Sequence, residues 1–182
     1  MRGTSTHTHS VLPVSQILQS YGQSNLTFID GETLHAFDIG PGNALLDDWI
    51  RRHGAGDYDA GGEISAQGKV LEDRLADALS HPFLSEAGPK SLDRYSFSGD
   101  FVEGLSLEDG AATLLAFTVG TISMAETLLP KRVKSWLVCG GGRHNPVLLR
   151  RLQEELSGDV VSADVYNIDG DALEAQAMAF LG

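Results

Sequence analysis

The chain has 182 residues, 42% of them apolar, and a mean hydropathy of −0.08, enough for one domain with a real core and incompatible with an intrinsically disordered chain. Its formal charge of −12 and pI near 4.7 repel phosphate backbones, so nucleic acid is not an expected partner, although a local pocket can still take a small anion. No apolar run reaches a membrane span and no signal peptide is visible; the single Cys139 has no internal partner, which suits a reducing compartment, so the expected location is the cytoplasm.

"MRGTSTHTHS" has one early charge and no apolar core, and residues 1–14 are set aside as a tag-like leader, leaving 15–182 as the folded unit. Two β-rich runs, about Asn25 to Ile29 and Thr33 to Asp38, flank Asp30-Gly31, a strong hairpin signal because both residues tolerate positive φ. After Gly40-Pro41-Gly42 a helix is expected from about Asn43 to His53, with Leu45, Leu46, Trp49 and Ile50 at helical spacing. "GAGDYDAGGE" is a glycine-rich loop, "VLEDRLADALSHP" an amphipathic helix stopping at Pro82, and "SEAGPKSLDRYSFSGDFVEGLS" irregular. "SLEDGAATLLAFTVGTISMAETLL" predicts a long, mostly buried helix, with Ser106 and Asp109 as a capping-box-like start. "VKSWLVCGGG" is a strand feeding three glycines. "NPVLLRRLQEELSG" is a helix with Asn145 as N-cap, Pro146 at its first position and Gly158 at its end. "DVVSADVY" predicts another strand and "DGDALEAQAMAFLG" a last helix with acids at its start. Alternating strands and helices place the chain in the α/β or α+β class with a mixed sheet.

Three stretches could carry chemistry. Asp38 stands at a strand end before Gly40-Pro41-Gly42-Asn43, where glycines allow close backbone approach and a helix N-terminus offers free N–H groups. A carboxylate there can serve as a base, or it can simply accept hydrogen bonds from the turn. Gly140-Gly141-Gly142 lies between a strand and a capped helix and could cradle a nucleotide, although neither the Walker nor the G-x-G-x-x-G pattern is present. Cys139 beside it fits a packed small hydrophobe better than a nucleophile. Asp169, Asp171 and Glu174 surround the last helix start and could hold a sugar or Mg²⁺, or merely favour the helix dipole.

"FDIGPGNALLDDW", "PKSLDR", "EDGAATLLAFT", "LVCGGGRHNPVLLRRL" and "DGDALEAQAMAFL" follow one another in the order of the anhydro-N-acetylmuramic acid kinases, which the chain resembles from Asn25 to Leu181. The resemblance implies a second domain of the actin/sugar-kinase/Hsp70-like (ribonuclease H-like) fold, a mixed sheet flanked by helices. It implies hydrolytic opening of a 1,6-anhydro sugar with phosphorylation at O6, using ATP and Mg²⁺, in bacterial peptidoglycan recycling. It makes Asp38 the general base on the attacking water. It makes Gly40, Pro41, Gly42, Asn43 and Glu174 sugar-side residues, and Gly140, Gly141, Gly142 and Asn145 nucleotide-side residues. No metal ligand is assigned.

Departures from the family pattern are Ile39 for the usual threonine and Gln23 for a glycine in "SYGQSN". The family's "SGTSLDG"-type phosphate loop has no match here, and family chains are about twice this length. The expectation is therefore an incomplete catalytic unit that is a poor kinase alone, with sugar and nucleotide as partners. A homodimer is expected too, formed through an open sheet edge near the N-terminal strands. The alternatives are a non-catalytic, self-associating module or a hydrolase-like domain that kept sugar binding.

Overall fold

The computed structural model describes residues 16–21, 23–30, 33–88, 90–92 and 96–166. The leader, Gly22, Gly31 and the predicted last helix with Asp169, Asp171 and Glu174 lie outside them.

Strands β1 (Gln16–Tyr21), β2 (Gln23–Asp30), β3 (Thr33–Gly40), β4 (Ser135–Cys139) and β5 (Asp159–Ser162) form one mixed sheet in the order β3-β2-β1-β4-β5. The hairpin closes on the pair Asp30↔Thr33, so Asp30 ends β2 instead of turning the chain, and the two strands run longer than predicted. β2 is antiparallel to both its neighbours, whereas β1, β4 and β5 pair in parallel. β1, β3, β4 and β5 therefore run the same way and end at one edge of the sheet. In open α/β sheets, the crevice outside the carboxyl ends of parallel strands is where ligands bind.

β1 was not anticipated from sequence. It is the central strand, pairing with β2 on one side and with residues 136–139 of β4 on the other. β1 covers the outer side of β2, so the first predicted strand is interior; the second, β3, is an edge of the described sheet together with β5, which keeps an open edge among the N-terminal strands. The predicted strand over 159–166 also shortens. The Ser162 hydroxyl accepts the Asp164 N–H (3.3 Å), a local turn that competes with the ladder, and 163–166 coil into a 3-10 turn.

Helices α1 (Ala44–Arg52), α2 (Glu72–Leu79), α3 (Pro82–Ser85), α4 (Leu107–Thr127) and α5 (Pro146–Glu155) complete the described elements. α4 is the centre of the core. Residues 110 to 119 are all buried, because the helix packs on β3 and is covered by α1, α2, α3 and α5. The core cluster joins Leu26 and Phe28 of β2, Ile39 of β3, Trp136 and Val138 of β4, and Trp49 and Ile50 of α1 to Leu114, Leu115 and Ile122 of α4. Ser106 caps α4 through the Asp109 N–H (3.1 Å), as predicted. The Asp109 carboxylate reaches out to the Lys69 N–H (2.8 Å), tying the 53–71 loop to the helix start. Among the described residues no helix is long and apolar enough to cross a membrane.

Trp49 is buried against α4, its indole N–H donating to the Leu107 carbonyl at 2.9 Å. A Cβ on Gly110 would stand 2.4 Å from the Trp49 ring. Gly110→Ala gains roughly 1 kcal/mol of helix propensity but overpacks the site by about 1–3 kcal/mol. The variant is expected to have a lower urea midpoint than the wild type; an unchanged or higher midpoint would show that the Trp49 seat yields.

Candidate functional site

Asp38 lies near the carboxyl end of β3, where the ladder shifts register: Asn25 pairs with Asp38 but Ser24 with Gly40, leaving Ile39 as a bulge. Bulges beside functional sites re-aim side chains. Here Ile39 turns into the core at 1% exposure, so the absence of the usual threonine hydroxyl falls within the apolar interior. Asp38 is half-buried, and its Oδ2 accepts the Leu92 N–H at 2.7 Å and the Ser91 hydroxyl at 3.3 Å. Its own N–H donates to the Lys90 carbonyl at 3.1 Å. Oδ1 accepts no hydrogen bond among the described residues. Lys90 is in turn held by the Phe83 carbonyl (2.7 Å) and sits over the Phe83 ring, so segment 90–92 is braced against α3.

The glycine turn after Asp38 is held from behind. Gly40, Pro41 and Gly42 are all buried. A Cβ on Gly40 would lie 2.8 Å from the Thr121 hydroxyl oxygen, and the Thr118 hydroxyl donates to the Gly42 carbonyl at 2.8 Å. These residues, expected to touch sugar, are placed here as the seat of the strand end on α4. Asn43 starts α1 without capping it: its carbonyl accepts the Asp47 N–H (2.8 Å), while its Oδ1 is enclosed with no partner.

The triple glycine behaves differently at each position. Gly140 takes φ 71°, a conformation that favours glycine, and its carbonyl accepts from the Arg143 guanidinium at 2.8 Å. Gly142 is buried, and Gly141 is exposed. Asn145 Oδ1 caps α5 through the Val147 and Leu148 N–H groups, both at 3.0 Å. Burial pushes the Cys139 thiol up to about 11, in keeping with a packed side chain and not a nucleophile.

Asn43, Leu46 and Asp47 of the α1 region, Tyr58 to Gly61 of the glycine-rich loop, and Gly141, His144 and Asn145 line one cleft of about 210 Å³. Asn43, expected on the sugar side, and Gly141 and Asn145, expected on the nucleotide side, therefore meet. The cleft is separate from the Asp38 carboxylate, since neither Asp38 nor segment 90–92 lines it. Gly62 closes the loop onto α5, where a Cβ would meet Asn145 Oδ1 at 2.5 Å. Asp47, Tyr58, Asp59, His144 and the Ser91–Leu92 clamp went unmarked in the sequence reading. Their only signal was proximity to turn-rich segments.

An anhydro-N-acetylmuramic acid kinase family model matches residues 7–182. The chain belongs to the anhydro-N-acetylmuramic acid kinase family. The anhydro-N-acetylmuramic acid kinase of Rhizobium rhizogenes is 48% identical over 91% of this chain, and that of Rhodopseudomonas palustris strain BisB18 is 51% identical over 88%. The match covers 45% and 44% of those relatives, so the chain spans about half the length of the kinases it resembles. A solved activator of the 2-hydroxyisocaproyl-CoA dehydratase from Clostridium difficile, with bound ADPNP, superposes at a TM-score of 0.54 and 15% identity over 92% of this chain and 64% of that one. The fold is of the actin/sugar-kinase/Hsp70 type, as the motifs implied.

Among the described residues, Asp47 is the carboxyl that the fold perturbs most clearly. Burial pushes it up to about 6; Arg51 opposes the rise, and Asp48 and Asp59 add to it. A carboxyl that binds its proton more tightly folded than unfolded makes ionisation costly to the fold. That cost is absent below the unfolded value near 3.8 and complete above about 6. Asp47→Asn is therefore expected to raise the melting temperature at pH 8 and to leave it nearly unchanged at pH 4. An equal difference at both pH values would rule out this origin.

Proposed function

We propose that this chain is the second lobe of an ATP-dependent anhydro-N-acetylmuramic acid kinase, with Asp38 as its general base and the cleft beside Gly141 as the seat for the nucleoside end of ATP. The observation that carries it is the state of Asp38. One carboxylate oxygen is pinned by a backbone N–H and a hydroxyl, the other accepts nothing from the described residues, and both sit on a rigid strand end. Such a group is oriented and still able to take a proton.

In this role Asp38 Oδ1 removes a proton from water as the water oxygen bonds to the anomeric carbon. The anhydro C1–O6 bond breaks, and O6 takes the γ-phosphoryl group of ATP as ADP leaves. Mg²⁺, when bound, neutralises charge on the transferring phosphates. Carried on those phosphates, it needs only one or two protein carboxylates, and among the described residues no group of three or more His, Cys, Asp or Glu could hold it alone. The cleft supports the nucleoside assignment by its chemistry: its lining holds no Lys or Arg and includes two carboxylates, so it suits an uncharged part of the ligand better than phosphate. Sugar contacts by Glu174, a cytoplasmic location and a role in cell-wall recycling belong to the same proposal.

Fusing the chain to the remainder of the Rhizobium rhizogenes relative, which the match leaves uncovered, is expected to supply the second wall of the site. In that protein Asp38→Asn is expected to lower turnover by about 10²- to 10⁴-fold with little change in sugar affinity, measured by coupled ADP release and calorimetry. Wild-type turnover by the Asn variant would remove Asp38 from the role. Gly141→Val is expected to weaken ADP binding to the 182-residue chain with little change in melting temperature. Equal affinity would leave the glycine loop as a turn only.

A further inference from the structure

Three carboxylates stand near the strand ends, and their hydrogen bonds separate them. Asp59 is saturated: its Oδ1 accepts the Ile64 N–H at 2.9 Å and its Oδ2 the Ser65 N–H at 3.1 Å. Asp38 is held by Leu92 and Ser91 and does not line the cleft. Asp47 lines the cleft, is half-buried, and receives no donor to its carboxylate from the described residues. Its natural partner at helical spacing, Arg51, is committed elsewhere, to the Asp48 carboxylate and the Asp57 carbonyl. Of the other polar side chains of the lining, Asn43 keeps an enclosed Oδ1 without a partner, Tyr58 is exposed, and two more are engaged elsewhere. Asn145 Oδ1 is used as a cap, and the His144 ring lies 4.0 Å from Asp164.

A partly desolvated carboxylate with both oxygens open calls for a ligand that brings hydrogen-bond donors, because an unpaired acceptor in such a place is costly. The absence of Lys and Arg from the lining argues that these donors are uncharged hydroxyls or amines next to an apolar body, and not a phosphate. Two adjacent hydroxyls can engage both carboxylate oxygens at once, whereas a base amine satisfies one. We propose that Asp47 is the specificity-determining acceptor for the ribose of the bound nucleotide, taking hydrogen bonds from its vicinal hydroxyls in the cleft between α1 and the Gly141–Asn145 turn. This rests on the assignment of that cleft to the nucleoside end.

The test is calorimetric titration of the 182-residue chain with ADP, 2′-deoxy-ADP, 3′-deoxy-ADP and inosine diphosphate, for the wild type, Asp47→Asn and Asp47→Ala. Hydrogen bonds to a charged group carry about tenfold or more in affinity. The wild type is expected to bind each deoxy nucleotide about tenfold more weakly than ADP. In both variants ADP itself weakens, and its advantage over the deoxy forms closes. Inosine diphosphate, in which a carbonyl replaces the exocyclic amine and N1 carries a proton, keeps the same ratio to ADP in wild type and variants. Deoxy discrimination that persists in both variants overturns the inference, as does an effect of the variants confined to inosine diphosphate. Asp47→Asn removes a buried charge and is expected to fold, so it carries the test if Asp47→Ala does not. The underlying assignment fails separately: if Gly141→Val leaves ADP affinity unchanged, or the wild type binds no ADP, the cleft is not a nucleotide seat and the ribose role falls with it.

Discussion

The contact between the glycine turn and helix α4 is what the rest of the site hangs on. Gly40 has no room for a side chain because Thr121 stands where its Cβ would be, and Thr118 anchors the Gly42 carbonyl. This close approach fixes the end of β3 and with it Asp38, and it also fixes where α1 begins and so the direction in which Asp47 projects. The two buried threonines that face the glycine turn are tolerated because each spends its hydroxyl. Thr118 donates to Gly42 and lies 3.2 Å from the Leu114 carbonyl, and Thr121 donates to the Thr118 carbonyl at 2.8 Å. Buried hydroxyls without such partners would cost more than they contribute.

Sheet direction supplies the second constraint. β2 alone runs against its neighbours, so the carboxyl end of β1, the glycine turn after β3 and the triple glycine after β4 share one edge. β3 and β4 are three strand spacings apart, roughly 14 Å. α1 and the 54–65 loop reach across that interval and rest on the start of α5. Gly62 packs against Asn145 and Val147 there, and Asp59 braces the loop from within. A segment that reads as an irregular connection thus becomes one wall of the cleft.

Hydrogen-bond accounting then distributes the chemistry. Asp38, Asp47 and Asp59 are the same residue type within 22 positions, yet one is half-committed, one open and one fully spent. A carboxylate saturated by backbone N–H groups is a structural strut; one with an oxygen to spare can accept from water or ligand. Lys90 shows the same logic in a cation. Its ammonium braces segment 90–92 through the Phe83 carbonyl, and burial lowers its pKa.

Much of this was legible in the sequence because it is local. The Asp-Gly hairpin, the Ser106 and Asn145 caps, Pro146 at the first turn of α5 and the apolar run of α4 each depend on neighbours within a few positions. The order of glycine motifs pointed to the family for the same reason: such loops need those residues wherever they occur. The central strand β1 was not legible, since its pairing with β4 joins residues about 120 positions apart. The Ser91–Leu92 clamp on Asp38, the bulge that sends Ile39 into the core and the open state of Asp47 were equally hidden. Each is decided by which donors arrive from distant segments, and a linear pattern carries no record of a partner brought in by folding. The sequence by itself determined which elements form and where carboxylates and glycines stand; the tertiary structure decided which of those carboxylates remain free to act.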